Sequence, residues 1–197
     1  MLRLLIATTN PGKLAEFREL LAGLAVECVL PPRDMQVVED GASYAENAAI
    51  KARTYALDSG LTALADDSGL EVDALDGAPG LYSARYSSLT NANDADRRVL
   101  LLENLRGHPQ PWTAHFHCTV AIAQPDGTLY FSEGNVYGQI LAEERGNNGF
   151  GYDALFLLPG LGRSMAELSN EEKNKLSHRA LAVRAALPTL QRLIRAE

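Results

Sequence analysis

Trp112-Thr113-Ala114-His115-Phe116-His117-Cys118-Thr119-Val120-Ala121-Ile122-Ala123 is followed by Gln124-Pro125-Asp126-Gly127 and then by a second run from Leu129 to Tyr137. Both runs read as strands, and Asp-Gly between two such runs predicts an antiparallel hairpin. Trp112, Phe116, Cys118, Val120 and Ile122 alternate onto one face and read as core. His115 and His117 fall on the other face. Their spacing suits a metal pair, yet no third ligand lies nearby, so they read as half-buried strand histidines.

Working outward, strands and helices alternate. Leu2 to Thr8 is a buried strand, and Asn10-Pro11 opens a helix with Leu14, Phe17, Leu20, Leu21 and Leu24 at helical spacing. Val26 to Leu30 is a second strand, closed by Pro31-Pro32, and residues 33–42 read as a loop. Tyr44, Ala48, Ala52, Tyr55 and Ala56 share one face of a helix over Ser43 to Ser59, with Ser43 and Glu46 spaced as a capping box and Gly60 as the stop. Leu61 to Ala65 is a strand that ends in Asp66-Asp67-Ser68-Gly69, and Leu70 to Leu75 reads as a separate extended piece. Turn residues fill Gly77 to Ser88, and Asp94 to Arg106 is helical in period. Residues 144–153 are rich in glycine and asparagine, Ala154 to Leu158 is a short strand, and Glu171 to Ala196 gives one or two helices interrupted at Pro188. A long antiparallel hairpin among alternating strands and helices predicts an α/β fold with a mixed sheet.

Composition bounds the function. The chain has 197 residues, 46% of them hydrophobic, enough for one domain in two lobes. A net charge of −7 argues against nucleic acid as a partner. A small polyanion stays possible where local cations meet it. No apolar run approaches the roughly 20 residues that cross a membrane, and Met1 to Ala7 is too short for a signal segment, so a cytoplasmic protein is expected. Cys28 and Cys118 read as two buried thiols.

Four stretches carry chemistry. Thr8-Thr9-Asn10-Pro11-Gly12-Lys13 joins a strand to a helix start, where backbone N–H groups attract phosphate and Lys13 adds a point charge. The glycine spacing of a Walker A loop is missing. Asp66 and Asp67 are adjacent carboxylates at a strand end, costly together unless a cation offsets them. Magnesium binds through one or two carboxylates plus phosphates, and Glu39 or Glu46 is available to complete a site with Asp67. Gly149-Phe150-Gly151-Tyr152-Asp153 places two aromatics among glycines, suited to stacking on a base. Ser177-His178-Arg179 clusters donors able to read a purine 6-oxo group. Arg85 is positioned for phosphate or for an ion pair, and Arg97-Arg98 reads as surface charge.

Together these stretches resemble the inosine triphosphate pyrophosphatase family, also called XTP/dITP diphosphatases. The resemblance rests on Ala7 to Lys13, Glu46-Asn47-Ala48, Ala65 to Leu70, Gly77-Ala78-Pro79-Gly80 with Tyr82 to Tyr86, Gly149 to Asp153, and Ser177-His178-Arg179, in family order along nearly the whole chain. It implies an ITPase-like or Maf-like α/β fold: a long mixed twisted sheet flanked by helices, in two lobes with a central cleft. It implies a single domain over residues 1–197, a homodimer, one Mg2+ per subunit, and hydrolysis of ITP, dITP and XTP to monophosphate and pyrophosphate. By motif, Thr8, Thr9, Asn10, Pro11, Gly12 and Lys13 would hold the triphosphate. Asp67 would be proton acceptor and metal ligand, with Glu39 the second ligand. Ser68 would touch substrate, and Phe150, Gly151, Tyr152, Asp153, Lys173, His178 and Arg179 would hold the base and sugar end. Ala154 stands where the family usually has proline, which is expected to loosen that loop.

Two rival readings follow from the residues. A phosphatase with an aspartyl-phosphate intermediate wants two aspartates separated by one residue, and these are adjacent. A nucleotide sensor would bind without turnover, and an RNA-binding module wants a basic face that a charge of −7 does not suggest.

Overall fold

The computed structural model describes residues 1–31, 35 and 37–196. Positions 32–34 and 36, inside the expected proline stop and loop, lie outside the described residues. The chain forms two compact units.

The first unit comprises Met1–Asp67, Cys118–Gly134 and the chain from His178 on. Its centre is β1 (Leu2–Ile6), parallel to β2 (Val26–Val29) and to the start of β3 (Thr62–Val72). Side chains alternate across these strands, so each face meets a different layer. Leu2, Leu4, Ile6, Leu64, Cys118, Val120 and Ile122 pack on Phe17 and Leu21 near α1 (Pro11–Leu20) and on Ala182, Val183, Ala186 and Leu190 of α5 (His178–Ala196). Leu5, Ala7, Ala63, Ala65, Ala121 and Ala123 pack on Ala48, Ala52, Tyr55 and Ala56 of α2 (Tyr44–Ser59). Each large apolar side chain so buried contributes about 1.5–3 kcal/mol.

Helix ends follow their capping residues. Asn10 Oδ1 accepts from the Gly12 and Lys13 N–H groups, with Pro11 in the first turn. Ser43 caps α2 by accepting from Glu46 N, while the Glu46 carboxylate reaches Ala42 N at 2.6 Å, one residue short of the expected reciprocal bond. Gly60, at φ +68°, ends α2 in the left-handed conformation.

The second unit comprises Ser68–His117 and Asn135–Ser177. It holds α3 (Asp94–Leu105), β6 (Phe156–Leu158), β7 (Arg163–Ser164) and α4 (Asn170–Leu176). The remainder of β3, β4 (Trp112–Ala123) and β5 (Leu129–Ile140) also give it residues. Among the described residues the strands form one mixed seven-stranded sheet in the order β2-β1-β3-β4-β5-β6-β7. No helix among them is long and apolar enough to cross a membrane.

Three expectations are corrected. Asp66-Asp67-Ser68-Gly69 is not a strand end, because β3 runs unbroken from Thr62 through it to Val72 and absorbs the piece expected at Leu70. The C-terminal helices break at Ser177, whose extended backbone (φ −67°, ψ 156°) caps α4, whereas Pro188 lies inside α5. Cys118 is buried but Cys28 is only half-buried; both are free thiols.

Candidate functional site

In the first unit, β3 points Asp66 and Asp67 to opposite faces, as any two neighbours on a strand must. Asp66 joins the α1 and α5 side. It is 1% exposed, and its Oδ2 takes Lys13 Nζ at 3.0 Å together with Arg179 Nε at 3.2 Å and Nη2 at 2.9 Å. Arg179, also 1% exposed, gives its remaining Nη1 to Glu16, one turn along α1 from Lys13. Burial alone would raise the Asp66 carboxyl, but Lys13, Arg179 and Lys51 together hold it far below the ordinary carboxylate range. Beside it, burial and the Asp66 charge push the Cys118 thiol up, so that thiol stays protonated and unreactive.

Asp67 joins the α2 side. Its Oδ2 accepts from Asn47 Nδ2 at 3.0 Å, and Asn47 Oδ1 in turn accepts from Gly41 N at 2.8 Å. A Cβ on Gly41 would stand 2.8 Å from that same Oδ1, so only glycine fits. One turn further along α2, Lys51 Nζ bridges the Asp66 carbonyl at 3.0 Å and Glu39 Oε1 at 3.0 Å. Burial raises the Asp67 carboxyl above its ordinary range, the Asn47 bond and the Lys51 and Lys13 charges oppose this, and the Glu39 charge pushes it further up. Asp67 and Glu39 are therefore close enough to sense one another, whereas Glu46 is engaged at the start of α2.

Those two carboxylates fit a hard cation. They offer oxygen donors only, with no thiolate or imidazole beside them in the cluster described above. That suits magnesium, which takes one or two carboxylates and leaves its other positions to water and phosphate, better than zinc. His115 lies against Glu71 at 3.4 Å and stacks on Tyr137, and His117 Nδ1 meets Asn135 at 2.7 Å. Both are half-buried strand histidines.

In the second unit, Phe150 to Asp153 forms a tight turn. Asp153 Oδ2 accepts from Phe150 N at 2.9 Å and from the buried Lys173 Nζ at 2.6 Å, and Lys173 lies 4.6 Å from the Phe150 ring centroid. Gly149 has φ +76°, and a Cβ there would meet Asp153 Oδ2 at 2.1 Å. Tyr152 is buried and donates its hydroxyl to Ser83 O at 2.9 Å, so it anchors the turn, and the half-buried Phe150 is the aromatic with an accessible part. Ala154 is buried, with its carbonyl accepting from Arg145 N.

The structure thus brings Lys13, Asp67, Glu39 and Arg179 into one cluster in the first unit, and Phe150, Gly151, Tyr152, Asp153 and Lys173 into another in the second. The Gly12 and Lys13 N–H groups already meet Asn10 Oδ1, so that helix start is capped by its own chain. Arg179 gives its guanidinium to Asp66 and Glu16. Arg85 is exposed and stacks on Tyr82. Arg97 and Arg98 are not plain surface charge: Arg97 pairs with Asp94, and Arg98 with Glu144. Asn47, already part of the Glu46-Asn47-Ala48 stretch, joins the cluster without an expected role, as do Lys51 and Glu16. The signal was present, since Asn47 and Lys51 stand four apart on an otherwise alanine-rich helix face and Glu16 stands three from Lys13.

Fold and cluster define a mixed-sheet α/β protein that gathers cations and carboxylates just beyond the point where β1 stops pairing with β3. A model of the Ham1 family matches residues 4–189, and the chain belongs to that family. It is 47% identical over 188 residues to a dITP/XTP pyrophosphatase of Listeria monocytogenes serotype 4b, covering 93% of this chain and 92% of that protein. A solved HAM1 protein from Coxiella burnetii superimposes with TM-score 0.87 at 40% identity, over 98% of this chain and all of that one. The Ham1 protein of Staphylococcus aureus superimposes with TM-score 0.83 at 36% identity, over 96% of this chain and 98% of that one.

Proposed function

We propose that this chain hydrolyses the deaminated purine nucleoside triphosphates ITP, dITP and XTP to monophosphate and pyrophosphate, keeping them out of DNA and RNA. The kinship with dITP/XTP pyrophosphatases supports the reaction, and the single observation that carries the chemistry is Asp67. It is a nearly buried carboxyl, raised by its surroundings and held at one oxygen by Asn47. A raised carboxylate is a better proton acceptor for an attacking water.

In this reading Asp67 accepts the proton, and Asn47 fixes its rotamer through Oδ2. Thr8 to Lys13 meet the triphosphate, with Lys13 moving from Asp66 toward the incoming charge. Lys51 braces Glu39 against the β3 backbone. Ser68 touches substrate. Phe150, Gly151, Tyr152, Asp153, Lys173, His178 and Arg179 are assigned to the base and sugar end by family likeness, Tyr152 and Arg179 through the partners they hold. One Mg2+ per subunit would sit on Asp67 and Glu39, and when bound it would neutralise phosphate charge and orient water. Charge balance supports the metal: in the described cluster three cations (Lys13, Lys51, Arg179) face four carboxylates (Glu16, Glu39, Asp66, Asp67), leaving it negative before any nucleotide arrives. We further take residues 1–197 as one domain of two lobes acting as a cytoplasmic homodimer, which sedimentation of the purified protein tests.

The deciding assay incubates the protein with ITP, dITP and XTP in magnesium, with GTP and ATP beside them, and identifies the phosphate product. Pyrophosphate with monophosphate is expected. Orthophosphate would point to a stepwise phosphatase, and intact nucleotide to a sensor.

A further inference from the structure

Gly151 lies in the turn that the proposed function gives to the base end, and α3 takes both of its backbone polar groups. Its N–H donates to Asp94 Oδ2 at 2.6 Å, and its carbonyl accepts from Arg98 Nη1 at 2.8 Å. The same guanidinium grips Glu144, near the start of the loop, through Nε at 2.8 Å and Nη2 at 3.1 Å. Asp94 is itself steadied at its other oxygen by Arg97 Nη1, and Arg97 Nη2 donates to Ala92 O at 2.9 Å. Spacings of three and four residues put Asp94, Arg97 and Arg98 on one side of α3. An Asn93–Asp96 capping box fixes where that helix begins.

Glycine carries little conformational preference of its own. Gly149 and Gly151 both sit at positive φ, +76° and +61°, so the orientation of the peptide between them depends on what holds it. That peptide carries Phe150, whose N–H is on Asp153 and whose ring lies beneath Lys173. Turning the Phe150–Gly151 peptide breaks the α3 bonds, and keeping those bonds fixes the ring.

We propose that Asp94 and Arg98 are positioning residues. By clamping the Gly151 backbone they fix the Phe150 ring and so set how tightly the purine end of the nucleotide is held. The inference rests on the reading of Phe150 as a base-contacting residue.

The test compares Asp94→Ala, Asp94→Asn, Arg98→Met and Glu144→Gln in the full chain. Three quantities are read: steady-state kinetics on dITP with magnesium, melting temperature, and amide hydrogen exchange at residues 149–152 without nucleotide. Loss of ground-state holding raises KM and spares kcat, so Asp94→Ala and Arg98→Met should raise KM about tenfold with kcat within about twofold. Exchange at 149–152 should accelerate in both. Asp94→Asn, which restores an acceptor for the Gly151 N–H, should recover most of the loss. Glu144→Gln, which keeps the Gly151 contact, should leave KM near the starting value.

Faster exchange with unchanged KM overturns the positioning role. Equal KM effects in Glu144→Gln and Arg98→Met overturn it as well, because the ion pair would then act instead of the Gly151 contact. A starting protein that leaves dITP, ITP and XTP intact overturns the proposed function and the nucleotide part of this inference. Exchange at 149–152 then still decides whether α3 holds the turn, and unchanged exchange refutes it.

Discussion

Asp66 and Asp67 share a peptide bond and little else. Asp66 is a buried anion whose folded carboxyl lies well below its ordinary value of 3.8 because cations surround it. Above pH 3.8 an unfolded chain and the folded chain both carry the charge, and only the folded chain gains from it. Stability from Asp66 is therefore present above that pH and is lost as pH falls through the folded value. Asp66→Asn should cost roughly 3–5 kcal/mol at pH 7, as for other broken buried pairs. Urea unfolding in EDTA should show the gap narrowing below about pH 4; a gap independent of pH would deny the carboxylate its role. Asp67 has the opposite sign. Its folded carboxyl is raised, so its ionised form at pH 7 weakens the fold slightly, and a neutral replacement removes that cost. Asp67→Asn should melt no lower than the parent while turnover on dITP falls at least 10²–10⁴-fold, on the order expected for loss of a general base. Near-parental turnover would remove Asp67 from the chemistry.

At the scale of elements, α5 carries Arg179 into the cluster, and β5 determines how closely it can approach. Gly134 on β5 has no room for a side chain: a Cβ would stand 2.3 Å from the His178 carbonyl and 2.5 Å from Ala182 N, both backbone. Two residues earlier, Ser132 Oγ donates to Ala182 O at 2.9 Å and ties the same pair together. Gly134→Ala should therefore cost about 1–3 kcal/mol, the usual range for overpacking, and should lower activity by moving Arg179 off Asp66. Gly160→Ala, with nothing within 4 Å of its Cβ, is the control and should stay within about 0.5 kcal/mol in urea unfolding. Equal losses in both would deny Gly134 a packing role. The same elements show which signals are local. Asn10-Pro11, Gly60 and the Asp126-Gly127 hairpin act within a few residues, and those elements were readable from the chain. The passage of β3 through Asp-Asp-Ser-Gly was not, since these residues disfavour strands and Asp66 is tolerated there by Arg179, 113 positions away. Likewise Pro188 reads as a breaker, but Ala186, Leu190 and Leu193 bury the helix on both sides of it, while the break at Ser177 follows a cap that periodicity does not reveal.

Across the whole molecule charge works against the proposed substrate. The chain carries −7, the described cluster holds more carboxylates than cations, and a triphosphate brings about four further negative charges. Repulsion on that scale is not overcome by Lys13 and Lys51, because each already faces a carboxylate. A divalent cation on Asp67 and Glu39 would reverse the sign of the cluster, so metal removal should abolish binding as well as turnover. With EDTA in excess, the protein should release no pyrophosphate from dITP above background and should show no rise in melting temperature with dITP added. Returning magnesium should restore both, with Asp67→Asn regaining neither in full. Since a ligand at 100 times its Kd stabilises by about 2.7 kcal/mol, the thermal shift is large enough to read. Full turnover in EDTA, or a dITP-induced shift that ignores magnesium, would mean that the protein's own cations suffice and that the Asp67–Glu39 pair serves another purpose.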